Sequence, residues 1–269
     1  MTTINRLTDQ LTRVELSRRQ RLQYGLIAFW VLAMISLPIM KWTLGADIIP
    51  TAVTFALLIQ FSAVVVIMAT GIGVRQTAVA FVLVAVATWG LEFIGSSTGF
   101  PFGAYNYTDV LQPQLGHVPL LIPVAWFMML PSSWAIAQLL TPKHRLAAYI
   151  AVSAASITAW DLFLDPQMVA WNFWIWDDPV GYFGIPWVNY AGWFFTGIVV
   201  TLLVRPYRFS LPVFPLLIIY GTVWFLQTIG QAVFWGQPGP AIIGSIAMGT
   251  LLLLASRQYL KQIGESAGE

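Results

Sequence analysis

The sequence contains no cysteine and only two histidines, and Asp, Glu, Lys and Arg together make up 9% of its 269 residues. Without cysteine there is no disulfide, no thiolate metal site and no cysteine nucleophile. Two histidines are too few for a multi-histidine metal or haem centre, so neither a metal nor a cofactor is expected. The scarcity of charge excludes a soluble domain, which is about 25% charged and about 45–50% apolar. Here 58% of the residues are hydrophobic and the mean hydropathy is +0.75. A larger core does not explain that gap, because a water-exposed surface of this size needs far more charge. A net charge of +2 offers little to a polyanion, so nucleic acid is not an expected partner. What remains is a membrane protein.

An apolar run of about 20 residues covers the roughly 30 Å hydrocarbon core at 1.5 Å per residue. Such runs occur at 24–42, 50–70, 77–96, 120–140, 146–163, 187–204, 213–234 and 240–256, the last being the shortest. They are continuous rather than alternating, which predicts helices and not barrel strands. The first has a long flank and no small-residue cleavage pattern, and is read as an anchor rather than a signal peptide. Arg6, Arg13, Arg18, Arg19 and Arg21 precede the first run, and Arg75, Lys143, Arg145, Arg205, Arg208, Arg257 and Lys261 fall after every second crossing. Lys41 alone departs, and it can snorkel. The positive-inside rule then puts both termini in the cytoplasm. The expected fold is all-α, a polytopic membrane helix bundle of about eight transmembrane helices. Its expected parts are a cytoplasmic segment 1–22, in which the first 20 residues could form a surface helix, a single transmembrane domain 23–257, and a cytoplasmic tail 258–269. A bacterial or archaeal plasma membrane is the expected location.

The opposite face has a different character. Segments 97–119 and 164–186 contain no Lys or Arg, yet hold Asp109, His117, Asp165, Asp177 and Asp178 among many Gly, Pro, Tyr and Trp residues. Aromatic loops of that length are expected to be ordered and packed at the bilayer interface. Two acids lie inside the spans themselves. A charge near the bilayer centre costs at least about 2.5–3.5 kcal/mol and so marks function. Glu92 lies about one turn before the non-cytoplasmic end of span 3, and Asp161 lies at the same end of span 5. Asp165 follows four residues later, on the same helix face if the helix continues that far. Gln227 and Gln231 are also four apart, in the outer half of span 7. Each acid could instead cap a helix, Asp165 could serve the turn before Pro166, and the glutamines could be interhelical glue. Their shared depth favours a common site.

Among the 13 tryptophans, Trp42, Trp187 and Trp235 read as interfacial anchors. Trp89 and Trp160 accompany Glu92 and Asp161, where an aromatic face can stabilise a cation. Directly after span 3, Gly99 opens a Gly/Pro-rich turn that carries Tyr105 and Tyr107, whose hydroxyls need partners when buried. Gly95, Ser96 and Gly99 line one side of the same helix end with small residues, where a long apolar ligand could approach from lipid; ordinary helix packing is the equal alternative.

The run Glu92-x-x-Gly-x-x-x-Gly99-x-Pro-Phe-Gly-x-Tyr105-x-Tyr107-Thr, the segment Gly116-His-Val-Pro119, and Asp161-x-x-x-Asp165-Pro166 resemble the CruF-type carotenoid hydratase family. The resemblance extends over about 50–255. It implies an integral membrane enzyme of carotenoid biosynthesis that hydrates the terminal 1,2 (or 1′,2′) double bond of an acyclic carotenoid end group to a tertiary alcohol. The implied partners are an apolar polyene substrate, the lipid bilayer and other carotenoid-pathway enzymes.

Alkene hydration needs a proton donor in a dry site, a stabiliser for a tertiary cation and a positioned water. The expected catalytic set is Glu92 as general acid, Asp161 to activate or position water, and Asp165 as its electrostatic support. The acid and base roles are exchangeable. Trp89, Trp160, Tyr105, Tyr107 and Gly99 would bound the substrate, and Gln227 and Gln231 would hold the water or the product hydroxyl. A carotenoid end-group cyclase, which also begins with alkene protonation, and a non-enzymatic proton-coupled carrier are the alternatives.

Overall fold

Ser17 opens the first helix with a reciprocal cap. Its Oγ accepts from the Gln20 backbone N–H at 3.2 Å, and Gln20 Oε1 accepts from the Ser17 N–H at 3.0 Å, satisfying two donors that a helix start leaves free. The computed structural model describes residues 17–142 and 144–268. Helix α1 (Arg18–Leu44) leads through one 3₁₀ turn (Ala46–Ile48) into α2 (Ile49–Ile72), and Gly73 alone separates α2 from α3 (Val74–Thr98). The remaining helices are α4 (Leu121–Leu140), α5 (Leu146–Ala170), α6 (Trp187–Val204), α7 (Val213–Ile229) and α8 (Pro238–Gly268). A π-helical turn, Gly230–Phe234, extends α7. Among the described residues, eight helices are long and apolar enough to cross a membrane, and they form the expected all-α polytopic bundle.

Among the described residues, α4 packs against α2, α3, α5, α7 and α8, and its Trp126 also stacks on Trp193 of α6. Neighbours around the ring run α1, α2, α3, α6, α5, α8, α7 and back to α1, with α4 in the middle. Helix α4 is accordingly the most buried, with Trp126, Phe127, Met129, Leu130, Trp134 and Ile136 all sealed from the surface. The seam between α1 and α7 is the most sparsely packed junction of the ring.

The expected spans match the helices closely, and the two largest differences have physical causes. Helix α5 does not stop at 163 but runs to Ala170 with Pro166 inside it. Proline removes an N–H and orphans the carbonyl four residues earlier, here that of Leu162, and the Tyr182 hydroxyl donates to that oxygen at 3.1 Å. The next carbonyl, of Phe163, accepts from Gln231 Nε2 at 2.6 Å. Helix α8 continues past residue 256 because its polar end, which includes Arg257 and Lys261, remains helical to Gly268. The surface helix expected within the first 20 residues lies almost entirely outside the described residues, as does Lys143.

Arg18, Arg19 and Arg21 start α1, Arg75 starts α3, Arg145 precedes α5, Arg205 and Arg208 join α6 to α7, and Arg257 and Lys261 lie near the end of α8. An up-and-down path gathers these at one basic end. The long segments gather at the other end, where they are ordered. Strand β1 (Tyr105–Tyr107) pairs antiparallel with β4 (Trp174–Trp176), while β2 (Gln114–Leu115) pairs with β3 (Val118–Pro119).

Candidate active site

Glu92 lies six residues before the end of α3, about 9 Å along the helix from its aromatic end at 1.5 Å per residue. It is buried, and three donors converge on its carboxyl group. The Tyr105 hydroxyl donates to Oε2 at 2.5 Å, the Tyr107 hydroxyl to the same oxygen at 2.8 Å, and Trp126 Nε1–H of α4 to Oε1 at 3.1 Å. Burial holds both tyrosine hydroxyls well above their ordinary pKa, so both keep their protons.

The second carboxyl group belongs to α5. Helical spacing sets Asp161 and Asp165 on one face, and Asn189, in the first turn of α6, bridges them. Its Nδ2 donates to Asp161 Oδ2 at 2.8 Å and to Asp165 Oδ2 at 2.5 Å. Asp165 Oδ1 also accepts from Trp174 Nε1–H at 2.6 Å and Trp176 Nε1–H at 3.3 Å. Asp165 therefore has three donors, none of which can accept a proton. Asp161 has one. Its Oδ1 and the Tyr190 hydroxyl nearby are buried without a hydrogen-bond partner among the described residues.

One ribbon serves both carboxyl groups. In the β1–β4 pair Tyr105 faces Trp176, Asn106 faces Ile175 and Tyr107 faces Trp174. Side chains alternate across a strand, so the two tyrosines and two tryptophans share the inner face. They pack ring against ring, Tyr105 with Trp176 at 5.1 Å and Tyr107 with Trp174 at 5.9 Å between centroids. On the outer face Ile175 is exposed and Asn106 Nδ2 donates to Asp177 Oδ1 at 2.9 Å. The ribbon is anchored by Phe102, wedged between Gly95 of α3 and Gly192 of α6. A Cβ at either glycine would come within 2.6 Å of the Phe102 ring.

Glu92, Asp165, Tyr105 and Tyr107 line a cavity of about 500 Å³, a size suited to a small-molecule ligand. Its walls are largely aromatic. Trp126 stacks on Trp193 at 4.0 Å and 20°, and Trp160 meets Trp193 edge-on at 5.9 Å and 80°. Gln60 of α2, Gln167 of α5 and Gln227 of α7 add amide groups, the last two joined through Gln231. The arrangement combines two fixed carboxyl groups, π faces for a cation and little else that is polar.

Of the residues singled out in the sequence, Glu92, Asp165, Tyr105, Tyr107, Trp160 and Gln227 meet at this cavity. Asp161 does not line it; it stands behind Asn189 and reaches the cavity through that amide and Asp165. Trp89 does not line it either. Its ring turns instead onto Phe93, in a stacked row that continues to His117. Gly99, at φ +80, ends α3 in the left-handed conformation and shapes the turn rather than the cavity wall. Gln231 is fully buried between Phe163 O, Gln167 and Gln227. The small residues at the end of α3 offer no gap for a ligand, since Phe102 fills the space beside Gly95. Trp42 and Trp187 are exposed as expected of anchors, whereas Trp235 is half-buried, lines the cavity and lies under Lys41 Nζ, 5.2 Å from its ring. Sequence reasoning missed Trp126, Asn189, Trp193, Trp174 and Trp176. The alternation in Trp174-Ile-Trp176, matching Tyr105-Asn-Tyr107, was a usable signal for the ribbon.

No solved structure matches the chain. A bisanhydrobacterioruberin hydratase from Haloarcula japonica is 35% identical over 132 residues, covering 48% of this chain and 45% of that protein. The match thus spans a little under half the length of the curated relative. Residues 52–252, which run from the first turn of α2 into α8 and include the central helix and every group at the carboxyl sites, match the family described as carotenoid biosynthesis protein, and the chain belongs to that family.

Proposed function

We propose that this chain is a carotenoid hydratase that adds water across the terminal 1,2 (or 1′,2′) double bond of an acyclic end group. One observation carries the reading: two buried carboxyl groups, each held by three donors, open onto a single apolar cavity walled by tryptophan. The similarity to a hydratase supports the same class of reaction.

Glu92 gives its proton to the less substituted alkene carbon, and the π pair becomes the new C–H bond. The tertiary cation left behind faces the rings of Trp126, Trp160 and Trp193, whose π faces attract it. The glutamate formed in this step is the species that Tyr105, Tyr107 and Trp126 are placed to stabilise by donation, so their bonds strengthen as the proton leaves. Asp165, surrounded by groups that only donate, is the acceptor that orients a water and takes its proton as the C–O bond forms. Asp161 supports Asp165 from behind Asn189. The proton gained by Asp165 returns to Glu92 through water in the cavity, and the net change is alkene plus water to tertiary alcohol. The distribution of basic residues supports a cytoplasmic basic end, and with it a site toward the outer leaflet of a bacterial or archaeal plasma membrane.

Expression in a host that makes an acyclic carotenoid tests the reading. Pigment heavier by one water is the expected product. An isomer of unchanged mass indicates cyclisation, and unchanged pigment indicates a carrier.

A further inference from the structure

We infer that the seam between α1 and α7 is a lateral groove that holds the polyene shaft while one end group reaches the carboxyl groups; this rests on the hydratase reading above. The cavity does not end among buried residues. Its lining continues to Ile35, Ile39 and Trp42 on α1 and to Phe225, Ile229 and Phe234 on α7, and all six are exposed on the outside of the bundle. They lie where the helix ring is most sparsely packed. The groove runs about 10 Å along α1 and about 14 Å along α7, at 1.5 Å per residue. Its upper end is bridged by Trp42 and Phe234, edge to face with centroids 5.7 Å apart.

The occupant follows from size and stiffness. A cavity of about 500 Å³ suits a drug-sized ligand, whereas a carotenoid is a long rod whose conjugated double bonds prevent it from coiling. One end can be enclosed and the rest must pass out through an apolar opening. The ribbon closes the aromatic end of the site with Tyr105, Tyr107, Trp174 and Trp176, and Phe102 fills the space beside α3 and α6. The α1–α7 groove is the apolar route out, and it leads into lipid where the substrate is dissolved. The π-helical turn Gly230–Phe234 swings Phe234 to the groove rim, in keeping with the use of such turns at functional sites.

The test compares purified Ile39→Trp and Phe225→Trp with the unaltered protein on two substrates sharing one end group: a full-length acyclic carotenoid in vesicles, and a short monoterpene that fits wholly inside the cavity. The ratio of long- to short-substrate turnover is expected to fall about tenfold in both variants, the factor that about 1.4 kcal/mol of steric cost produces. Val86→Trp, on the exposed outer face of α3, is expected to keep the ratio. An unchanged ratio in the groove variants, with the unaltered protein active on both substrates, overturns the groove and leaves the hydratase reading standing. That result would make the groove a seat for lipid or a second copy of the chain. If the unaltered protein hydrates neither substrate, the hydratase reading fails and the groove assignment falls with it.

Discussion

Replacing Glu92 with glutamine separates the chemistry of this carboxyl group from its structural part. The amide has nearly the same shape but places one oxygen and one NH₂ where two oxygens stood. Trp126 Nε1–H can only donate, so the amide oxygen must stay at the Oε1 position, 3.1 Å away. The NH₂ then occupies the Oε2 position, where it meets the hydroxyls of Tyr105 and Tyr107. A hydroxyl both donates and accepts, so each can turn a lone pair to the new N–H, but its own proton then loses its acceptor; Tyr105 can redirect to the residue 92 backbone carbonyl, 3.4 Å away, while Tyr107 is left without the acceptor it had. The structural cost of Glu92→Gln is therefore that of leaving one buried hydroxyl proton without its acceptor, about 1–3 kcal/mol. The catalytic cost is larger, because an amide has no acidic proton to give at any working pH. General acid catalysis contributes about 10²–10⁴ in rate, or about 3–5 kcal/mol of transition-state stabilisation at 1.36 kcal/mol per decade. The assay is hydrated pigment per unit of folded protein, with monodispersity and thermal midpoint recorded on the same preparation. Retention of more than about a tenth of the activity by a well-folded variant would refute the assignment, since the loss would then lie below the range for a general acid.

Three further outcomes follow from the same geometry. Asp165→Asn should lower activity as far as Glu92→Gln does, whereas Asp161→Asn, altering a group that does not reach the cavity, should retain at least about tenfold more; comparable losses in pigment assays would reverse the roles. Tyr182→Phe should lower the thermal midpoint by leaving the Leu162 carbonyl unpaired, a cost of about 1–3 kcal/mol, and the effect should shrink in a Pro166→Ala background, where the helix supplies its own N–H to that oxygen. Burial raises Tyr105 and Tyr107 in the folded state above the ordinary value near 10. Their contribution is thus fully present below about pH 10 and lost as pH rises beyond it, so a midpoint flat from pH 7 to 9 that falls only above about 10 is expected in a thermal series.

The helices were legible because a bilayer imposes its thickness on the sequence: about 20 apolar residues are required for each crossing, and arginines mark alternate turns. Glu92, Asp161 and Asp165 were legible for the complementary reason, that a carboxyl group in such a run is expensive and so stands out. The donors that hold them were not. Trp126, Asn189 and Trp193 lie in spans that hold many aromatic and amide residues, and nothing local separates a tryptophan that binds a carboxylate from one that meets lipid. The continuation of α5 beyond Pro166 was hidden because its remedy, the Tyr182 hydroxyl, lies 20 residues away in a loop. The groove was hidden most completely. Lipid-facing and cavity-facing positions of α1 and α7 are equally apolar, and only the three-dimensional seam distinguishes Ile39 from any other exposed isoleucine.

On the hydratase reading, the depth of the site explains why the fold devotes its ordered loops to it. Hydration joins reagents from two phases, water from outside the membrane and a polyene from within it. A site at the midplane would starve for water, and one on the surface would leave the cation open to it from every side. Glu92 lies about 9 Å inside the helix end, between these limits. Above it the ribbon presents Asn106 and Ile175 outward and four aromatic side chains inward, so the layer over the cavity is a single two-stranded sheet and chemically asymmetric. On the same reading, the residues that exclude bulk water also hold the carboxyl groups that would handle single protons. On this account the ribbon is the functional unit and the helices are its scaffold. Loosening the ribbon without touching a carboxyl group, as Gly95→Leu would by displacing Phe102, should uncouple protonation from capture. The cation would then lose a proton to stray water and return as an alkene with its double bond shifted, a by-product that mass analysis of the pigments misses and chromatographic separation of isomers detects. If such a variant instead lost activity with no isomerised alkene, the ribbon would be needed only to place the acids, and exclusion of water would have to be credited to the helices.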